Sequence, residues 1–289
     1  MKKIIIMGAS SGIGLEVAGM LASRNVRIGV AARNTMPLEE LKSRYPDCVE
    51  YASIDICKPD APLKLDNLID AVGGMDIYLH VAGIGYENLD LDPEREAAIV
   101  NTNCVGFSRM LSAAYRYFRS HGIAGQIAAV TSAAGTNGIG RLSAYSSSKK
   151  FGQTYITALE QLSFSENAGI KFTDIRPGWV RTPLLLDNVK YPFEMSVEYA
   201  ARQVIYAIAK QERVWIFDWR WDAVVNIWRW IPDKTWVRMR VPVSVPDIRL
   251  PWPISALTER RSDERNAHAT DDTEGPVKEN AKLENKTRP

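Results

Sequence analysis

Lys3-Ile4-Ile5-Ile6-Met7-Gly8-Ala9-Ser10-Ser11-Gly12-Ile13-Gly14-Leu15 sets a short β-branched apolar run against a glycine-rich turn, and the turn against a helical pattern. Leu15, Ala18, Met20, Leu21 and Ala22 carry that helical spacing as far as Arg24. The order is strand, glycine turn, helix. Gly8-x-x-x-Gly12-x-Gly14 at such a junction lets the backbone approach a pyrophosphate, whose charge then sits at the helix N-terminus. A lone glycine motif could equally be a tight turn of no chemical consequence, so the chain that follows has to decide.

It repeats the unit. Val26 to Ala31 reads as a second strand, Leu38 to Tyr45 as a helix and Val49 to Ile54 as a third strand. Pro62 to Val72 makes a helix stopped by Gly73-Gly74, and Met75 to Ala82 a fourth strand. Pro93 to His121 reads as one long helix, Gly125 to Thr131 as a fifth strand, Ala144 to Asn167 as a helix and Ile170 to Ile175 as a sixth strand. Val197 to Lys210 and Val214 to Phe217 add one helix and one strand. Strands alternating with helices at this interval predict an α/β fold, a parallel sheet wound on both faces. No Pro- or Gly-rich linker divides residues 1 to 256, so one domain is expected, with residues 1–218 carrying the chemistry.

Composition narrows the function. The 289 residues are 46% hydrophobic and 24% charged, with a formal net charge of +2, which offers no global basic field for nucleic acid. Cys48, Cys57 and Cys104 are scattered, as are His80, His121 and His268, so neither a disulfide framework nor a metal site is expected. A reducing cytoplasm fits that usage. The apolar run after Lys3 stops at Gly8, too short for a signal peptide. From Leu257 onward, seven Lys or Arg and eight Asp or Glu crowd 33 residues with few large apolar side chains. Such a segment reads as a disordered tail.

Tyr145 and Lys149 stand four apart in a predicted helix and share one face. An ammonium near a phenol, whose ordinary pKa is about 10, is expected to lower that value and fit the tyrosine for proton transfer to an alcohol oxygen. Alone, the pair would be an ordinary solvated helix face.

Taken with Gly8, Gly12 and Gly14, this pattern resembles the short-chain dehydrogenase/reductase family, of the Gly-x-x-x-Gly-x-Gly and Tyr-x-x-x-Lys type, over about residues 3 to 218. The resemblance implies a Rossmann-type fold and a nicotinamide cofactor cradled by Gly8, Ser10, Ser11, Gly12, Ile13 and Gly14. Asp55-Ile56 matches the family's acidic position at the adenine. Ala82-Gly83 matches half of its Asn-Asn-Ala-Gly segment, His80 and Val81 replacing the asparagines and their sheet-bracing hydrogen bonds. Asn103, with Asn101 as its neighbour, fits the helix asparagine, and Ser132 lies thirteen residues before Tyr145, at the family's spacing. The implied tetrad is Asn103, Ser132, Tyr145 and Lys149: serine donating to the substrate oxygen, tyrosine delivering the proton, lysine holding the nicotinamide ribose, asparagine placing a refilling water. Pro177, Gly178, Val180 and Thr182 fit the segment at the nicotinamide carboxamide. The resemblance also implies a homo-oligomer built on the two long helices.

Cofactor choice turns on the end of the second strand, where Ala31-Ala32-Arg33-Asn34 holds no carboxylate for a ribose 2′-hydroxyl and an arginine suited to a 2′-phosphate. NADPH is the expectation. Leu184, Leu185, Leu186, Val189, Tyr191, Pro192 and Phe193 then point to a lipophilic ketone, aldehyde or alcohol. The rival is a cofactor-sensing binding protein of the same fold without turnover.

Seven of the eight tryptophans fall between Val214 and Trp252. Trp221, Val224, Val225, Trp228 and Ile231 share one helical face, and Asp218, Arg220, Asp222 and Arg229 exclude a transmembrane span. This extension, residues 219–256, is expected either to pack over the substrate loop or a partner subunit, or to lie on a membrane as an interfacial helix, with residues 213 to 252 carrying seven Arg or Lys against four Asp.

Overall fold

The computed structural model describes residues 2–182 and 191–241. The disordered-tail reading, and Leu184, Leu185, Leu186 and Val189, lie outside them. Seven strands, β1 (Ile4–Met7), β2 (Ile28–Ala32), β3 (Val49–Ser53), β4 (Ile77–His80), β5 (Gln126–Val130), β6 (Lys171–Ile175) and β7 (Val214–Trp215), form one sheet in the order β3-β2-β1-β4-β5-β6-β7. Every neighbouring pair is parallel. Parallel strands need crossover helices and are covered on both faces, which is why β1, β2, β4 and β5 are buried along their whole length.

One layer contains α1 (Gly12–Ala22), α2 (Met36–Arg44) and α7 (Val197–Lys210), whose buried side chains meet Ile4, Ile6, Val30 and Leu79. The other contains α3 (Ala61–Val72), α5 (Phe107–His121) and α6 (Ser143–Ser165), packed on Ile5, Met7, Tyr78 and Ile127. The order reverses between β1 and β4, so their C-terminal ends open the crevice in which such sheets bind ligands.

Two sequence expectations need correction, and one open choice narrows. The predicted helix from Pro93 to His121 is broken: α4 (Pro93–Val100) runs into a π-helical turn, Asn101–Gly106, before α5. The turn reads Asn-Thr-Asn-Cys-Val-Gly, with too few large apolar side chains for spacing to report an extra residue, and such turns concentrate at functional sites. The last strand stops at Trp215, and Asp218, at a φ of 80°, caps α8 (Trp219–Trp230) through its side chain. The stripe Trp221, Val224, Val225, Trp228 and Ile231 packs on the protein itself. That is the packing reading of this stripe; the opposite face of the helix stays exposed at Trp219, Ile227 and Trp230. A short α9 (Asp233–Trp236) follows.

Candidate active site

The glycine turn serves the chain before it serves any ligand. A Cβ at Gly8, whose φ is +94°, would lie 2.4 Å from Ala82 N, and one at Gly14 would lie 2.1 Å from the Gly8 carbonyl. Two of the three glycines thus let β1, α1 and the segment after β4 close together. The result is an open helix end. Ser11 at the N-cap is extended and makes no capping bond through its hydroxyl, and the first turn of α1 contains no acidic residue. Its amides remain available to an anion, which fits a pyrophosphate. Ser10 is half-buried, Ser11 exposed and Ile13 buried beneath the turn.

Arg33 is exposed just beyond β2. Asp55 is half-buried and accepts the Cys57 amide at 3.0 Å. Ile56 is buried in the core, where Gly106 makes room for it: a Cβ there would come within 2.7 Å of Ile56 Cγ1. Its carbonyl accepts from Arg109 Nη1 at 2.7 Å.

At the other side of the crevice, α6 brings Tyr145, Lys149 and Gln153 onto one face, four residues apart each time. Gln153 Nε2 donates to the Ser132 carbonyl at 2.9 Å, so the helix that carries the tyrosine also fixes the serine. Ser132 Oγ accepts from Ala134 N at 3.1 Å, donates to Pro177 O at 3.5 Å and lies close enough to the Tyr145 phenol to act on it. Gly85 passes under the tyrosine, where a Cβ would meet its ring at 2.4 Å, and Gly83 passes Lys149 Nζ and Asn103 Oδ1. Buried Asn103, in the π turn, clamps this same segment: Oδ1 accepts from Ile84 N at 2.9 Å, while Nδ2 donates to Ile84 O at 2.7 Å and to Ser148 Oγ at 3.0 Å. Asn101 is exposed and stands outside the cluster.

The expected lowering of the Tyr145 pKa by Lys149 is not what the geometry gives. Burial pushes the phenol up, and the hydrogen bond with Ser132 returns part of that shift. The ammonium lies over the ring, 5.6 Å from its centroid, and burial lowers Lys149 itself to about 8 against the pull of Asp174. Lys149 Nζ donates to the Val130 carbonyl at 3.3 Å. Asp174 is buried on β6, accepting from Thr131 Oγ1 at 2.5 Å and from Arg176 Nε at 2.7 Å. His80 is wholly buried, its Nδ1 2.9 Å from the Tyr78 hydroxyl, and burial lowers it to about 3, so it is neutral at pH 7. Its ring makes no hydrogen bond to a neighbouring strand among the described residues. Instead, Val81 N and Ala82 N both donate to Met7 O.

Gln153, Asp174 and Gly85 escaped the sequence reading. Gln153 continues the Tyr145–Lys149 spacing by one more turn, and Asp174 is a carboxylate inside a strand that is otherwise buried from Phe172 to Ile175. Both signals were legible.

The extension closes the far end of the crevice. A Cβ on Gly178 would lie 2.1 Å from the Trp221 ring, so that glycine exists against a tryptophan 43 residues away. Trp221 Nε1 donates to Phe193 O at 3.2 Å, Trp236 Nε1 to Gly138 O at 2.6 Å, and Asn137 Nδ2 to Trp228 O at 2.9 Å. The loop between Ser132 and Tyr145 is thereby pinned. Trp236 packs with Ile139 and Leu142, and Tyr145 and Trp179 lie against that cluster. Pro177 and Val180 are buried, Val180 bridging to Met195, and Thr182 N donates to Val180 O at 2.7 Å. A groove of about 1210 Å³ opens beside the loop, lined by Ile139, Ser143, Tyr191, Trp236, Val237 and Met239.

Comparison with known proteins agrees with this geometry. The short chain dehydrogenase family model matches residues 2–190. An uncharacterised oxidoreductase of Myxococcus xanthus is 30% identical over 236 residues, covering 79% of this chain and 92% of that protein. An alcohol dehydrogenase of Thermococcus sibiricus, solved with 5-hydroxy-NADP, superposes with a TM-score of 0.65 at 23% identity over 75% of this chain and 96% of its own. A short-chain dehydrogenase of Sphingobium yanoikuyae in complex with NADPH gives 0.67 at 21% over 85% and 99%. A glycine turn at the sheet's switch point, a tyrosine and lysine on one helix and a matching family model place this chain in the short-chain dehydrogenase/reductase family, as an NAD(P)-dependent oxidoreductase.

Proposed function

We propose that the protein reduces the carbonyl of a lipophilic substrate with NADPH, or oxidises the corresponding alcohol. The observation that carries this reading is the convergence of Ser132, Tyr145 and Lys149 beside Gly83 and Gly85, at the end of the sheet where the Gly8 turn opens. The reduced nicotinamide would supply a hydride to the carbonyl carbon. Ser132 would donate a hydrogen bond to the oxygen as negative charge builds there, and Tyr145 would transfer its proton to it. A phenol raised by burial suits that direction, since it keeps its proton until the developing alkoxide takes it. Lys149 would hold the ribose, with Asp174 keeping the buried ammonium charged. Asn103 spends its side chain on Ile84 and Ser148, so its part is to hold the wall that carries Gly83 and Gly85.

Arg33, with no carboxylate from Ala31 to Asn34, supports the preference for NADPH. The two solved neighbours carry NADP-type cofactors. The groove walls of Ile139, Tyr191, Trp236, Val237 and Met239 support an apolar substrate. Homo-oligomerisation is supported by the outer face of α6, where Phe151, Tyr155, Ala158 and Leu162 repeat at helical spacing, Phe151 stacks on Tyr155 and Val105 is exposed nearby.

The test mixes purified protein with NADPH and a panel of sterols, long-chain ketones and quinones, following the reduced-nicotinamide absorbance. Turnover of an apolar carbonyl is expected, with Arg33→Asp lowering NADPH affinity relative to NADH. Tight cofactor binding without turnover of any member would favour the sensing protein, and an unchanged cofactor preference would make Arg33 a surface charge only.

A further inference from the structure

We propose that the outer face of α8 docks on an anionic bilayer surface. The inner stripe of this helix is consumed by the protein, yet a second apolar stripe remains. Trp219, Ala223, Ile227 and Trp230 follow one another at intervals of four, four and three, within an arc of about 80° at 100° per residue. Trp219 is 79% exposed, Ile227 63% and Trp230 87%. Contiguous apolar patches of this size are often functional surfaces.

The placement of the tryptophans says what kind of cover. They stand at the two ends of a twelve-residue helix, about 16 Å apart at 1.5 Å per residue, with Ile227 between them. A helix so furnished lies flat, with an indole at each end in the headgroup layer. The charges agree. Arg229, Lys234, Arg238 and Arg240 are exposed and form no ion pair among the described residues, against exposed Asp222 and Asp233. That leaves a local excess of two positive charges for anionic headgroups, each worth about fivefold in binding. Two tryptophans and an isoleucine offer roughly 500 Å² of apolar side chain, short of the about 800 Å² per partner that a stable protein interface buries. A lipid surface has no such minimum, because Trp and cations act there in concert.

Val237, at 76% exposure, and Met239 belong to the same extension and line the groove beside Tyr145's loop. Docking would bring the groove to the lipid from which an apolar substrate partitions. Only this purpose rests on the proposed substrate class; the docking itself does not.

Flotation of the full chain with phosphatidylcholine vesicles, with and without phosphatidylglycerol, tests it. Binding is expected to the anionic vesicles at low salt, to fall in high salt and to be lost on pure phosphatidylcholine. The double variant Trp219→Ser/Trp230→Ser should lower the bound fraction by about tenfold or more, with NADPH affinity and activity on a soluble carbonyl unchanged, since both side chains are exposed and remote from the tetrad. A wild type that stays with the soluble fraction would overturn the proposal, and so would flotation indifferent to the double substitution. A variant whose molar mass halves in light scattering while wild type ignores vesicles would assign the face to a second copy. Flotation without turnover of any carbonyl would leave the docking intact and reject the substrate reading instead.

Discussion

The turn from Gly8 to Gly14 and the helix from Trp219 to Trp230 meet the same crevice from opposite ends, and they were built by different rules. The turn is local: Gly8 and Gly14 work on each other and on Ala82, and their spacing announces the arrangement to anyone reading the sequence. The helix is distant. Trp221 covers Gly178, Trp236 holds Gly138 and Trp228 holds Asn137, and in each case the partner is 43 or more residues away with no spacing to betray it. The end of the crevice at the glycine turn is thus specified by short-range backbone geometry, whereas the far end, where the proposed substrate would enter, is specified by residues imported from the C-terminal extension. Families can keep the first and vary the second.

The largest effect should come where the two regions meet on Tyr145. Tyr145→Phe keeps the ring against Gly85 and the Trp236 cluster while deleting the proton donor. Turnover is expected to drop by about two to four orders of magnitude, with cofactor affinity measured by fluorescence titration nearly retained. A variant that kept most of its activity would reject the tyrosine as acid. A parallel loss of cofactor affinity would mean that the hydroxyl does more for binding than for chemistry.

Trp221→Ala probes the imported wall. Removing a buried tryptophan costs about 3–5 kcal/mol, and the space opens directly over Gly178. Urea unfolding should show that loss, and the Michaelis constant for NADPH should rise because the Pro177–Gly178 segment loses its backing. Destabilisation below about 1 kcal/mol would show that the extension leans on the domain without being part of its core, which would break the comparison.

The smallest expected effect is a pH dependence at Lys149. Its folded value of about 8 lies below the ordinary 10.5, so between those limits the unfolded chain holds a proton that the folded chain has lost. Stability should therefore rise with pH across that window. The increment is read as the difference between wild type and Lys149→Met, in which the raised pKa values of Cys57 and Tyr145 cancel, in a Cys104→Ser background because the Lys149 charge also acts on that thiol. A difference that stays flat from pH 8 upward would place Lys149 in a wetter setting and deprive Asp174 of its role.

Sequence alone determined the alternating strands and helices, the parallel sheet and the glycine turn, because each follows from a period or a spacing within one or two elements, whereas the proposed tetrad of Asn103, Ser132, Tyr145 and Lys149 was named through resemblance to the family. Its limits were equally local. The π turn at Asn101–Gly106 was invisible because its own residues carry too few large apolar side chains to mark a phase, and the direction of the Tyr145 shift was misjudged because helical spacing reports proximity and not burial. What only the tertiary structure decided is which way α8 faces. Both of its stripes are apolar, and a helical wheel cannot rank them; the space above Gly178, which admits one indole and no Cβ, turned Trp221 inward and left Trp219 and Trp230 outside.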